Sequence, residues 1–414
     1  MTQAIHHHQF DNGLILLGES MAWLESAAFA IQLPAGHALD PVNRLGTANF
    51  ACDMVQRGCG PRDSRQFVED LDRLGTDRSA SVSAVHTSFG ATMLADNLES
   101  ALRIYADLVR QPHLPENQIE DGRMVCLQEV AAAEDDLVHR TMVRLRHRHY
   151  GAPWGRTPHG TFESVEQITL DDVARHVSSN FHPNGTILSV AGKIDWDQLV
   201  NVVGDLFSDW QPQSEPPLRT SNAEGGYEFI PYESNQTQIG VAFPCVPYSH
   251  PDYFQARGAV GILSDGMSSR LFTEVREKRG LCYTVHASCH SLREQGSVLC
   301  YAATSTENSQ QTLDVLLAEL MRLPQGVEPT ELDRLKARIK SSLILQQESS
   351  ASRCLAMAGD WYHLGRILNP EELSRIIDGL SCESINAFLA ANPPQTFTVV
   401  TLGEKELEVA HGTS

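Results

Sequence analysis

The stretch NLESALRIYADLVRQPHLPENQIEDGRMVCLQEV, starting at Asn97, has a counterpart 211 residues later in NSQQTLDVLLAELMRLPQGVEPTELDRLKARIKSSLIL, starting at Asn308. In the first copy, apolar side chains at 98, 101, 102, 104, 105, 108 and 109 trace one face of a helix; a proline-containing break and a second helical pattern follow. The second copy repeats the plan with Leu313, Leu316, Leu317 and Leu320, the break EPTEL and another helix. A separation of about half the 414 residues means two tandem copies of one unit. Length agrees, because a chain of this size exceeds a comfortable single core.

Each half also carries strand-like runs. LILLGES, AAFAIQL and GTILSVAG lie in the first, TQIGVAF, CYTVHAS and GSVLCYAAT in the second. Strands interleaved with helices predict an α+β fold of two tandem homologous domains, each a sheet covered by helices. Between the halves the sequence is rich in Pro, Ser, Gly and Asn and has no periodicity. The expected boundaries are 1–210, a linker 211–226, and 227–414.

Composition narrows the function classes. The formal net charge of −20 argues against nucleic-acid binding, which needs a basic surface, and favours cationic peptides or a less acidic protein partner. No apolar run reaches the length of a membrane span, and MTQAIHHHQFDNG lacks a basic region followed by an apolar one. The expectation is a soluble, cytoplasmic protein without membrane contact. Nine cysteines, odd in number and without a C-x-x-C pair, argue against a zinc ribbon or a disulfide framework and read as reduced, mostly buried thiols. The run His6–His8 beside the chain end is expected to be inert.

The opening FDNGLILLGES, followed by AAFAIQLPAGHALDPVNRLGTANFACDM, resembles the start of the pitrilysin or insulysin-type inverted-zincin peptidases, close to the mitochondrial processing peptidase branch. The resemblance continues through HYGAPWGRTPHGTFESVEQITLDDVARHVSSNFHPNGTILSVAGKID and HPDYFQARGAVGILSDGMSSRLFTEVREKRGLCYTVHAS, so it covers nearly the whole chain. It implies mainly antiparallel sheets, and a clamshell of two such chains around a peptide chamber.

The signature of that family is His-x-x-Glu-His, in which two imidazoles one helical turn apart converge on zinc and the Glu activates its water. Alignment on GTAN places Asn49 and Asp53 at the two His positions and Cys52 at the Glu position. All three roles are changed. The family's distal Glu ligand corresponds to Glu129, 76 residues beyond Asp53, in VCLQEV. Asn49, Asp53 and Glu129 offer oxygen atoms to a hard ion such as Mg²⁺ or Ca²⁺, but the favoured reading is a degenerate helix face without metal. A nucleophilic role for Cys52 finds no support in the spacing of His86 or His139, so it reads as a buried inert thiol. The histidines of RLRHRHYG fall where the family has a basic, partly exposed loop and receive no role.

The second half differs. In EVREKRGLCYTV, Arg276 and Tyr283 are seven residues apart and match an Arg and Tyr pair that, in this family, completes an active site across the chamber. A Tyr hydroxyl donates to the oxyanion of a tetrahedral intermediate, and an Arg orients the peptide carbonyl or the Tyr. The alternative is a surface Arg and a core aromatic.

The resemblance therefore implies a chain without cofactor of its own, inactive alone, acting as the non-catalytic subunit of a heterodimeric zinc metallopeptidase. Its partner would be a homologous subunit with zinc in an intact His-x-x-Glu-His motif, and its substrate a peptide. Homodimerisation of the isolated chain is compatible with the sequence. LSDGMSSRLF is the ordinary family turn rather than the glycine-rich loop of processing-peptidase alpha subunits, so presequence processing is not supported. Two other readings are a structural or assembly subunit and an independent Cys52 hydrolase.

Overall fold

The structure, a computed structural model, describes residues 4–214, 218 and 220–409. Of the expected linker, residues 215–217 and 219 lie outside the described residues. The fold is α+β with two mixed but mainly antiparallel sheets.

The first sheet runs Ala4–Gln9, Ile15–Ser20, Ile187–Gly192, Ser26–Leu33, Thr87–Leu94, Asp77–Val82. Side chains alternate between the two faces of the pleat, and along Ile15–Ser20 and Ser26–Leu33 both faces are covered, so these strands read as near-continuous apolar runs. Leu14, Leu16, Ala27, Phe29, Ile31 and Leu33 join one core, while Ile15, Leu17, Ala28 and Ala30 join another on the opposite face. The histidines expected to be inert form an edge strand paired antiparallel with Ile15–Ser20, and pack: His6 on Trp196, His7 on Trp361, His8 on Phe10, with ring centroids 4.5–5.1 Å apart.

The second sheet runs Tyr227–Pro231, Thr398–Gly403, Gln236–Cys245, Gly296–Ser305, Cys282–Ser291. This is the first sheet's order from Ile15–Ser20 onward, and the same adjacent pair is parallel in both. The duplication seen in helical periodicity therefore extends to strand topology.

The compact units are not contiguous halves of the sequence. One comprises 1–133, 156–219 and 345–367, the other 134–155, 220–344 and 368–414. The helix Ser350–Leu364, from the second half, packs its Cys354, Met357 and Ala358 against the first sheet. The helix Leu137–Tyr150, from the first half, packs its Leu145 against Ala242, Leu299 and Val400 of the second sheet. Gly240 makes that approach close, since a Cβ there would stand 3.3 Å from Leu145 and Thr141.

This second helix corrects the expectation of a basic, partly exposed loop at RLRHRHYG. The segment forms the helix's last turns, with His149 half-buried between Thr398 Oγ1 (3.0 Å) and Ser297 Oγ (2.7 Å) and the Tyr150 hydroxyl 2.7 Å from His290 Nδ1. The guanidiniums of Arg144 and Arg148 both reach the Glu228 carboxylate. The apparent basicity of the segment hid an amphipathic face.

All nine cysteines are free thiols, six of them buried. No helix among the described residues is long and apolar enough to cross a membrane.

Candidate functional site

The helix Thr47–Met54 carries the altered motif, and its start is fixed by Asp40. The Asp40 carboxyl accepts from Gly46 N (2.7 Å) and Ala48 N (2.9 Å), satisfying amides a helix cannot satisfy itself. Gly46 adopts φ +92°, a left-handed conformation that a side chain would strain. Burial pushes the Asp40 carboxyl up to about 7 despite those amides.

The helix Ile119–Asp135 crosses close to the motif because of Gly122. A Cβ at that position would stand 2.9 Å from Asp53 Oδ2, Met54 Sδ and Phe50 Cε2. This approach brings Glu129 to the motif, and the Asn49 amide donates to Glu129 Oε2 at 2.6 Å. His159 Nδ1 stands 3.8 Å from the same oxygen. His159 foremost, with Asn49 adding to it against the effect of burial, holds the Glu129 carboxyl below its usual range. Asp53 is taken by Arg57, one turn on, at 2.7 Å.

These residues do not fit a zinc ion. Asn49 presents a donor to the one carboxylate that would bind metal, and Asp53 is engaged by a guanidinium. Cys52 is buried and its thiol is pushed up to about 12, by burial first and by the charges of Asp53 and Glu129 after it, so it stays neutral. The hard-ion alternative meets the same obstacle, because a cation or an amide already sits on each carboxylate. Among the described residues no group of three His, Cys, Asp or Glu side chains is placed to hold a metal. His86 packs its ring on Tyr362 at 4.6 Å, and Cys52 has no described imidazole partner.

Sequence reasoning missed His159 and Arg57. Arg57 was visible as an i,i+4 partner of Asp53. His159 was not, since only the turn at Gly160, with φ +74° and packed on Leu45, carries it to the motif helix.

In the other unit, Arg276 and Tyr283 are brought together. The Arg276 guanidinium lies 4.7 Å from the Tyr283 ring centroid and 4.7 Å from that of Phe272, a cation–π sandwich. Two backbone irregularities build it. Phe272–Glu277 is a π-helical turn, closed by Lys278 N to Thr273 O at 2.9 Å, a form concentrated at functional sites. Pairing of Cys282–Ser291 with Gly296–Ser305 skips Tyr283, a bulge that re-aims its side chain and leaves it 80% exposed. Lys278 and Arg279 both hold Glu274, at 2.6 and 2.7 Å. Among the described residues neither the Arg276 guanidinium nor the Tyr283 hydroxyl makes a hydrogen bond. The pair is stacked in place with its polar ends unused.

A duplicated α+β chain with an altered inverted-zincin helix and a poised Arg and Tyr defines the class. Residues 19–155 match the sequence family Insulinase (Peptidase family M16), and residues 167–339 match Peptidase M16 inactive domain. The chain belongs to the M16 peptidase family. It is 25% identical over 389 residues to an uncharacterized zinc protease of Rickettsia felis, covering 93% of this chain and 94% of that one. It is 24% identical over 394 residues to the uncharacterized zinc protease YmxG of Bacillus subtilis, covering 92% and 94%. The fold is shared with a Pseudomonas fluorescens structure described as a peptidase M16 inactive domain, with TM-score 0.86, 19% identity and coverage of 98% and 99%. A chain of Complex III2 from Candida albicans has TM-score 0.82, 16% identity and coverage of 97% and 96%.

Proposed function

We propose that this chain is the non-catalytic subunit of a heterodimeric zinc metallopeptidase, lending Arg276 and Tyr283 to the active site of a homologous chain with an intact His-x-x-Glu-His motif. The carrying observation is the contrast between the two sites: Asn49, Asp53 and Glu129 are satisfied internally, whereas Arg276 and Tyr283 are ordered and unsatisfied. The partner's zinc would supply the activated water. From this chain, the Tyr283 hydroxyl donates to the oxyanion of the tetrahedral intermediate. Arg276, stacked on the ring, holds that hydroxyl in place and offers its free N–H groups to the substrate carbonyl. A net charge of −20 favours cationic peptides over nucleic acid or anionic membrane, and a cytoplasmic setting suits nine free thiols.

The test is co-purification with a related His-x-x-Glu-His chain followed by peptide turnover. Tyr283→Phe removes one hydroxyl and should lower turnover by roughly 10² to 10³, the usual effect of deleting an oxyanion donor. Assembly and the partner's zinc content should not change. The second reading, a structural or assembly subunit, draws on the likeness to the Complex III2 chain. Wild-type turnover in the Tyr283→Phe complex would favour that reading instead.

A further inference from the structure

The turn SDGMSSR, residues 264–270, and the helix Pro329–Gln346 line a half-open cavity of about 190 Å³, bordered by Asp265, Gly266, Ser269, Glu331, Arg334 and Arg338 among others. Charge accounting around it is uneven. Asp265 is held by Arg257 at 2.7 Å, and Glu331 by two nitrogens of Arg270, each at 2.7 Å. Arg334 and Arg338 make no hydrogen bond or close ion pair among the described residues, although Arg334 also helps to hold the Glu331 carboxyl low through space.

These two guanidiniums are one helical turn apart, so they share a face, and like charges at that spacing destabilise a helix unless an anion stands between them. They do so in a chain whose formal charge is −20. Arg338 is drawn over the turn, its Nη1 lying 2.7 Å from where a Cβ on Gly266 would be. Gly266, at φ +102°, keeps that space open.

An independent observation comes from Ser269. It is 5% exposed, and its Oγ has no hydrogen-bond partner. A buried hydroxyl without an acceptor is uncommon and marks a missing group. Two spare guanidiniums and an unmatched hydroxyl share one complement, a tetrahedral oxyanion with several acceptor oxygens. The volume sets the ligand's size, since drug-sized molecules take roughly 300 to 1,000 Å³.

We propose that this cavity binds a phosphate group, held by Arg334 and Arg338 with Ser269 as hydroxyl donor. The ligand is inorganic phosphate or the phosphoryl end of a small monoester whose remainder stays in solvent.

The full chain is titrated by calorimetry with inorganic phosphate and with glycerol phosphate, in buffers matched in ionic strength with chloride. Saturable binding near one per chain is expected. Arg334→Gln with Arg338→Gln should weaken it roughly tenfold or more, the loss expected on deleting charge-assisted hydrogen bonds, and Ser269→Ala severalfold. Both arginines are exposed, so the double variant should fold, which circular dichroism checks. Equal affinity for the two ligands identifies free phosphate; tenfold tighter glycerol phosphate identifies a monoester. Heats no larger than those of chloride, or undiminished binding in the folded double variant, would overturn the site.

Discussion

Arg353 Nε lies 2.7 Å from Glu19 Oε2, across 334 positions of sequence, with side-chain exposures of 9% and 0%. The pair joins the helix Ser350–Leu364 to the strand Ile15–Ser20, within a face otherwise sealed by Met357, Ala358, Leu17 and Ala30. Arg353→Met takes a guanidinium away from the Glu19 carboxylate inside that core. Arg353→Met should therefore cost about 3–5 kcal/mol in urea unfolding, and Glu19→Leu in the same chain should recover much of it. A single-variant cost below about 1 kcal/mol, the surface-pair range, would show the pair to be solvated.

Zinc is the next test. Protein with His6–His8 replaced by Ser, incubated with zinc and freed of excess, should hold far less than one zinc per chain by elemental analysis. Uptake near one per chain, lost on Glu129→Gln, would mean that the Asn49 and Arg57 contacts yield to the metal.

Restoring the motif should reverse that result. Asn49→His, Cys52→Glu and Asp53→His together free Glu129 from the Asn49 amide and supply two imidazoles on one face. Arg57 would then be left without its carboxylate and close to a cation. Adding Arg57→Ala to the triple variant should tighten zinc binding further. A folded triple variant that takes up none would show that His159 or the helix spacing bars the site.

For Arg276, the expected loss is in catalysis and not in assembly. Arg276→Ala in the complex should lower kcat/KM by about 1.5–3 kcal/mol, one charge-assisted hydrogen bond, with zinc content unchanged. Arg276→Lys should restore little, since an ammonium lacks the planar fork that stacks between Phe272 and Tyr283. Parallel loss of complex yield would assign the residue to folding.

Acid sensitivity follows from three imidazoles that burial pushes down to about 4: His86, His149 and His176. Unfolded, each takes its proton near the ordinary value of about 6.5. Between about 6.5 and 4 the unfolded chain thus takes up these three protons while the folded chain keeps only the one on Asp40, so the balance still favours the unfolded chain and stability falls as pH drops through that window. His149→Gln, which keeps hydrogen-bonding groups near Thr398 and Ser297, should flatten the slope by about one proton. An unchanged slope would place the proton uptake elsewhere.

Much of this was legible in the sequence because it is written in local patterns. Helical periodicity repeated at 211 residues gave two copies, and short apolar runs gave the buried strands from Ile15 and Ser26. The losses at Asn49, Cys52 and Asp53 are changes of residue type, so no fold was needed to read them. Arg276 and Tyr283 were identified by a spacing of seven, but their stacking depends on a π-helical turn and a bulge, backbone departures of one residue that no side-chain pattern announces.

Tertiary structure alone decided the rest. Periodicity reports that a helix has an apolar face and not which sheet will cover it, so the packing of Leu137–Tyr150 and Ser350–Leu364 on sheets from the opposite sequence halves was out of reach. The same limit hid Glu19 with Arg353, and His159 beside Glu129. A charge or an imidazole looks alike in sequence whether water or a partner will satisfy it, because desolvation is a property of the packed neighbourhood and not of the residue.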